Sequence, residues 1–147
     1  MRKRKQYLLA IGAFLALVAI LLALSFHLVD NHSWYWNAAP ILCAVGILSA
    51  ASGGFMTGYS LAQTQKRRWW LVALGGILAL AWLISGMMAE SSAFSLRNYF
   101  PFADGYIGWD SYYGDYIVGL FHIWALQLAT ATGLVGGFST GFGLGRK

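Results

Sequence analysis

Residues 125–145 read ALQLATATGLVGGFSTGFGLG, and every fourth position is small: Ala125, Ala129, Gly133, Gly137, Gly141 and Gly145. On an α-helix a four-residue step returns to nearly the same face, so these residues form one strip without bulk along which another backbone can lie. Glycine costs roughly 1 kcal/mol per residue relative to alanine inside a helix, so a run of this kind needs an offsetting gain. Close helix packing inside a bilayer supplies it. A second strip runs through residues 46–62 at Gly46, Ala50, Gly54, Gly58 and Ala62. The helix-packing positions expected from the two strips are therefore Gly46, Ala50, Gly54, Gly58, Ala129, Gly133, Gly137 and Gly141.

The rest of the composition agrees with a membrane setting. Of 147 residues, 59% are hydrophobic and 10% are charged, against roughly 25% charged in soluble domains. The single Cys43 excludes an intrachain disulfide and leaves the redox compartment open. The net charge of +5 is not spread as in a nucleic-acid-binding surface. Nine of the ten basic residues lie at 2–5, 66–68 and 146–147, and the acids Asp30, Glu90, Asp104, Asp110 and Asp115 lie elsewhere. Lys and Arg that flank spans mark the cytoplasmic side. The charges thus predict both termini and the 63–68 connection inside, with two acid-bearing loops outside.

Four apolar runs of bilayer length are predicted, at about 7–28, 38–62, 69–88 and 117–144, each able to cross a hydrocarbon core of roughly 30 Å. The first run is longer than the 7–15 residues of a signal-peptide core and is read as a retained span. It also has a counterpart. RKQYLLAIGAFLAL at 4–17 and RRWWLVALGGILAL at 67–80 share Arg, Leu, Ala, Gly, Leu, Ala and Leu at an offset of 63. GGFMTGYSLA at 53–62 and GGFSTGFGLG at 136–145 share Gly-Gly-Phe-x-Thr-Gly at an offset of 83. The fold expected is a single all-α membrane domain, a four-transmembrane-helix bundle made of two tandem helical hairpins, a parallel internal repeat. The first hairpin covers about 4–62 and the second about 67–145. The change of offset places an insertion of 20 residues in an outer loop at 89–116.

That loop is longer than the 2–8 residues usual between bundled helices, and it is rich in aromatics. Tyr99, Phe100, Phe102, Tyr106, Trp109 and Tyr112 are read first as an interfacial aromatic belt, with an outer docking or ligand-stacking surface as the alternative. If the strips meet across a pseudo-axis near Gly54 and Gly137, the outer halves of spans two and four splay. A polar groove is then expected at His122, Trp124, Gln127 and Asn37.

Catalytic signals are sparse. No nucleophile–base constellation stands out, the serines of 49–60 having no His or carboxylate in their segment, and Asp104, Asp110 and Asp115 do not match the spacing of a calcium loop. Ser49, Ser52, Thr57, Ser139 and Thr140 are expected to bond backbone carbonyls or to cross between helices. His27 and His122 could share a depth, which admits a haem or a metal held by two imidazoles. Two histidines lack a third ligand, so no cofactor is expected. The reading is a small accessory or assembly subunit rather than an enzyme, with other membrane subunits or its own copies as partners, together with lipid and no nucleic acid. The alternative is a transporter or channel for a neutral or weakly polar solute, and the third reading is a redox protein using His27 and His122.

Overall fold

The computed structural model describes the backbone of residues 2–28, 33–62, 67–99 and 109–145, and the side chains of 4–25, 38–62, 67–91 and 122–145. The described chain is four helices: α1 (Arg2–Leu28), α2 (Ser33–Leu61), α3 (Trp69–Tyr99) and α4 (Trp109–Leu144). Three of them, over Arg4–Ser25, Ala38–Leu61 and Trp69–Ser91, are long and apolar enough to cross a membrane. Helix α4 is the longest, but glycine, threonine, serine and glutamine dilute its apolar content.

Helices α2 and α4 form the centre, α1 lies on α2, and α3 lies on α4 and touches α2. The central contact is made backbone to backbone. A Cβ at Gly54 would fall on the carbonyl oxygen of Leu134, and one at Gly58 on that of Phe138. A Cβ at Gly137 would fall on the carbonyl oxygen of Ala51, with the Phe55 nitrogen at 2.9 Å. One at Gly141 would fall on the carbonyl oxygen of Phe55, with the Tyr59 nitrogen at 2.8 Å. These contacts are reciprocal. Gly54 and Gly137, Ala51 and Leu134, Gly58 and Gly141, and Phe55 and Phe138 are each 83 positions apart. Each helix therefore offers its partner the same glycines and receives the same carbonyls, as in a self-complementary two-fold contact.

The flanking contacts follow the same rule. In α1, Gly12 has Thr57 Oγ1 2.7 Å from its ideal Cβ position, and in α3 the equivalent position of Gly75 falls on Thr140 Oγ1. Rings repeat too. Phe55 stacks on Tyr59 at 6.0 Å between centroids, and Phe138 on Phe142 at 5.7 Å. At the far end of α4, Gly145 takes φ 29° just beyond the last helical residue, the left-handed closure that glycine permits. There the Arg68 amide donates to the Gly143 carbonyl at 2.9 Å, tying the start of α3 to the end of α4.

Helix α1 begins at Arg2 and α2 at Ser33, each ahead of the apolar run read from the sequence, and the largest differences lie in the second half. Helix α3 runs on to Tyr99 and α4 begins at Trp109, so much of the stretch expected as loop is helical backbone. The hydropathy drops after Met88, but AESSAFSLRNY contains no helix breaker, and Pro101 is the first residue that disfavours the helical region for its predecessor. Hydropathy marks the end of apolarity, which is not the end of the helix.

Candidate functional site in the helix junction

Beyond the glycine contact, the N-terminal halves of α2 and α4 and the C-terminal half of α3 close around an apolar cluster. Ala39, Cys43, Ile47, Ala89, Ala125, Leu126 and Ala129 make it up, with Trp82 packed against it. Small residues on all three helices let the backbones approach, and the larger groups fill what remains. Trp82 reaches from α3 to α2, where its Nε1–H donates to the Ile47 carbonyl at 3.1 Å. Its ring lies over Gly133, whose ideal Cβ position is 2.7 Å from Trp82 Cδ1. The residue 63 positions before Trp82 is Ala19, so this bridge has no counterpart in the first hairpin.

Three polar side chains enter the junction, one from each helix. His122 on α4 is 0% exposed, and its Nδ1 lies 2.9 Å from the Ala89 carbonyl oxygen of α3. A carbonyl only accepts, so this nitrogen carries the proton and donates. The bond fixes the ring and the height of α3 against α4. One residue on, the partly buried Glu90 places its carboxyl beside the thiol of Cys43, itself 0% exposed. Its Oε2 is buried without a hydrogen-bond partner.

The structure places the other expected site residues as follows. Gly54, Gly58, Gly137 and Gly141 lie in the α2–α4 contact, and Ala50 meets Gly133 there, its Cβ 3.2 Å from the ideal Cβ position of that glycine. Gly46 instead faces α1, with Leu22 Cβ at 3.5 Å. Ala129 is fully buried in the apolar cluster. Trp124 is 71% exposed, so it stands on a different face of α4 from His122. Gln127 is partly buried. Helix α3 occupies the level at which the sequence reading expects a splay between α2 and α4.

The side chains of Asn37, His27, Tyr99, Trp109 and Tyr112, and residues Phe100, Phe102 and Tyr106 altogether, lie outside the described residues. Among the expected hydroxyls, Ser52 donates to the Leu48 carbonyl and Thr140 to that of Gly136, whereas Thr57 Oγ1 bonds no carbonyl and is buried against Gly12 of α1 without a hydrogen-bond partner. Among the described residues no group of three or more His, Cys, Asp or Glu side chains is placed to hold a metal ion.

Sequence reasoning missed Trp82, Cys43 and Glu90 as partners in one place. A signal was available. Trp82, Ser85, Gly86 and Ala89 follow the i, i+3, i+4, i+7 spacing of a buried helix face, and that face runs one residue past the assumed end of the span. Comparison of the chain with family models, with curated proteins and with solved structures finds no match.

Proposed function

We propose that the chain is a four-span membrane protein of two tandem hairpins that serves as an accessory or assembly subunit of a larger membrane complex. Its termini and the 63–68 connection lie on the cytoplasmic side, as the basic residues at the span ends favour. The reciprocal α2–α4 contact supports a pseudo-two-fold relation between the hairpins. With three helices apolar enough to span, α4 crosses as the fourth because its glycines and hydroxyls face helices and not lipid.

The observation that carries the subunit reading is where apolar surface remains. The central contact consumes the small strips within the chain, so partners meet the outer faces. Only 17% of the α1 and α3 spans is buried, against 50% for α2. Ile41 and Trp124, which are 83 positions apart, project from the two central helices at 69% and 71% exposure. Tryptophan is enriched among residues that dominate binding at interfaces, and Trp124 is offered outward from a rigid helix.

A second reading keeps the chain as a transporter or channel for a neutral or weakly polar solute, which the paired hairpins favour by analogy with parallel-repeat transporters. Native mass spectrometry of the protein, purified gently from its own membranes, separates the two. A stoichiometric companion of different sequence, lost on Trp124→Ala, is expected for a subunit. A monomer or homo-oligomer without companions would overturn that reading and favour transport.

A further inference from the structure

We propose that the crevice between α1 and α4 binds an anionic phospholipid, with one acyl chain held between the helices and the phosphate at the basic residues that open α1. The crevice has a volume of about 280 Å³ and almost wholly apolar walls, formed by Ala16, Gly54, Thr57, Leu134, Val135 and Phe138. It exists because the two hairpins close unequally. In the second, Trp82 reaches from α3 to the Ile47 carbonyl and draws α3 onto α2 as well as α4. In the first, the equivalent position holds Ala19, whose methyl group cannot span that distance, and α1 touches α4 less than α3 touches α2. The far wall also suits an apolar guest. Leu134 and Val135 stand where the other half has Ala51 and Ser52. Val135 is 54% exposed and Phe138 37%, so the crevice opens to the lipid around the bundle.

Charge and depth select the guest. Arg2, Lys3, Arg4 and Lys5 begin α1. Arg67 and Arg68 precede α3 at the same end of the bundle, where the Arg68 amide is bonded to the Gly143 carbonyl. No acid occurs in residues 1–29, 54–89 or 116–147, so these segments give that end no counter-charge, and it attracts negative headgroups. Exposed Tyr7, Trp69 and Trp70 mark the headgroup level there. Ala16 lies about 14 Å beyond Tyr7 along α1, close to half of a hydrocarbon core of roughly 30 Å. An acyl chain descending from a phosphate at Arg4 or Lys5 therefore reaches the crevice. A helix of another chain, about 10 Å across, is too wide for a space of this volume.

The proposal rests on membrane insertion and on neither reading of function. The test is native mass spectrometry of the full chain, reconstituted in bilayers of equal phosphatidylglycerol and phosphatidylcholine with the same acyl chains. One phosphatidylglycerol is expected to stay with each chain, preferred by about five-fold or more, the ratio that one basic residue at the surface supplies. Val135→Trp fills the crevice from an exposed position and is expected to lose that lipid, whereas Ser52→Trp, at the equivalent position of the other half, is expected to retain it. Arg4→Gln with Lys5→Gln is expected to bind the two lipids equally. That variant leaves the packing untouched, so it decides the question if Val135→Trp fails to fold. No retained lipid, equal retention of both lipids by the parent chain, or equal loss in Val135→Trp and Ser52→Trp would overturn the proposal. A second copy retained in place of lipid would overturn it too. Release of the chain from vesicles by alkaline carbonate would instead contradict membrane insertion, and the site with it.

Discussion

A methyl group added at Gly76 meets nothing within 4 Å, whereas one added at Gly137 meets the Ala51 carbonyl oxygen and, at 2.9 Å, the Phe55 nitrogen. Both glycines sit in helices of similar composition, so the comparison isolates packing from propensity. Gly76→Ala is expected to stabilise the protein by up to about 1 kcal/mol, through helix propensity alone. Gly137→Ala must push the α2 and α4 backbones apart and is expected to destabilise by about 1–3 kcal/mol or more. Thermal unfolding in detergent reads both, and equal effects would mean that the α2–α4 contact is not closed. Gly46→Ala should be near neutral, because its neighbour Leu22 Cβ stands at an ordinary 3.5 Å. The four-residue pattern alone could not show this. Each step of four overshoots the helical turn by about 40°, so a strip from Gly46 to Gly58 winds from the α1 side to the α4 side. Gly133 and Trp82 form a further pair. Gly133→Ala should destabilise by at least about 1 kcal/mol in the parent chain and much less in Trp82→Ala, the coupling that a double-mutant cycle measures for residues in contact. Additive effects would mean that Trp82 does not press on Gly133.

At the scale of elements, the repeated Gly-Gly-Phe-x-Thr-Gly made the central pair of helices legible. The physical reason is that a backbone-to-backbone contact tolerates only glycine at its closest points, so the contact writes itself into composition. The reciprocal geometry carries a consequence for mutation. Gly54→Ala and Gly137→Ala each meet an equivalent carbonyl, of Leu134 and Ala51 respectively, and should lower stability by the same amount within about 0.5 kcal/mol, the usual error of additivity. A large difference would show that the two halves are not packed alike. The junction at Glu90 was illegible for a complementary reason. Hydropathy averages over all faces of a helix, so one acid beside two serines reads as the end of a span even when its side chain turns inward. Cys43 offered no pattern at all, since a lone cysteine acquires meaning only from what the fold sets against it. The bond from His122 to the Ala89 carbonyl joins residues 33 apart, a separation that no local periodicity encodes.

For the whole molecule, the basic residues at the span ends favour the proposed orientation, and the structure adds the order of packing, α1 on α2, α2 on α4, α4 on α3. The proposed orientation puts residues 63–68 in the cytoplasm. Reporter fusions there should behave as internal, while fusions at residue 104 should behave as external, and the reverse would turn the molecule over. The junction at Glu90 and the outward faces both depend on the two hairpins meeting within one chain. The most direct measurement is a crosslink between Ala50 and Gly133, where the Cβ of the first stands 3.2 Å from the ideal Cβ position of the second. That spacing is close to the roughly 3.5–4.5 Å of disulfides. Cysteines at both positions, in a chain carrying Cys43→Ser and Trp82→Ala to remove the native thiol and make room, are oxidised in membranes, and the chain is then cut by trypsin at Lys66–Arg68. The two halves of a single chain are expected to stay joined until reductant is added. Halves that separate without reductant, or crosslinks that join two chains, would contradict the meeting of the hairpins within one chain.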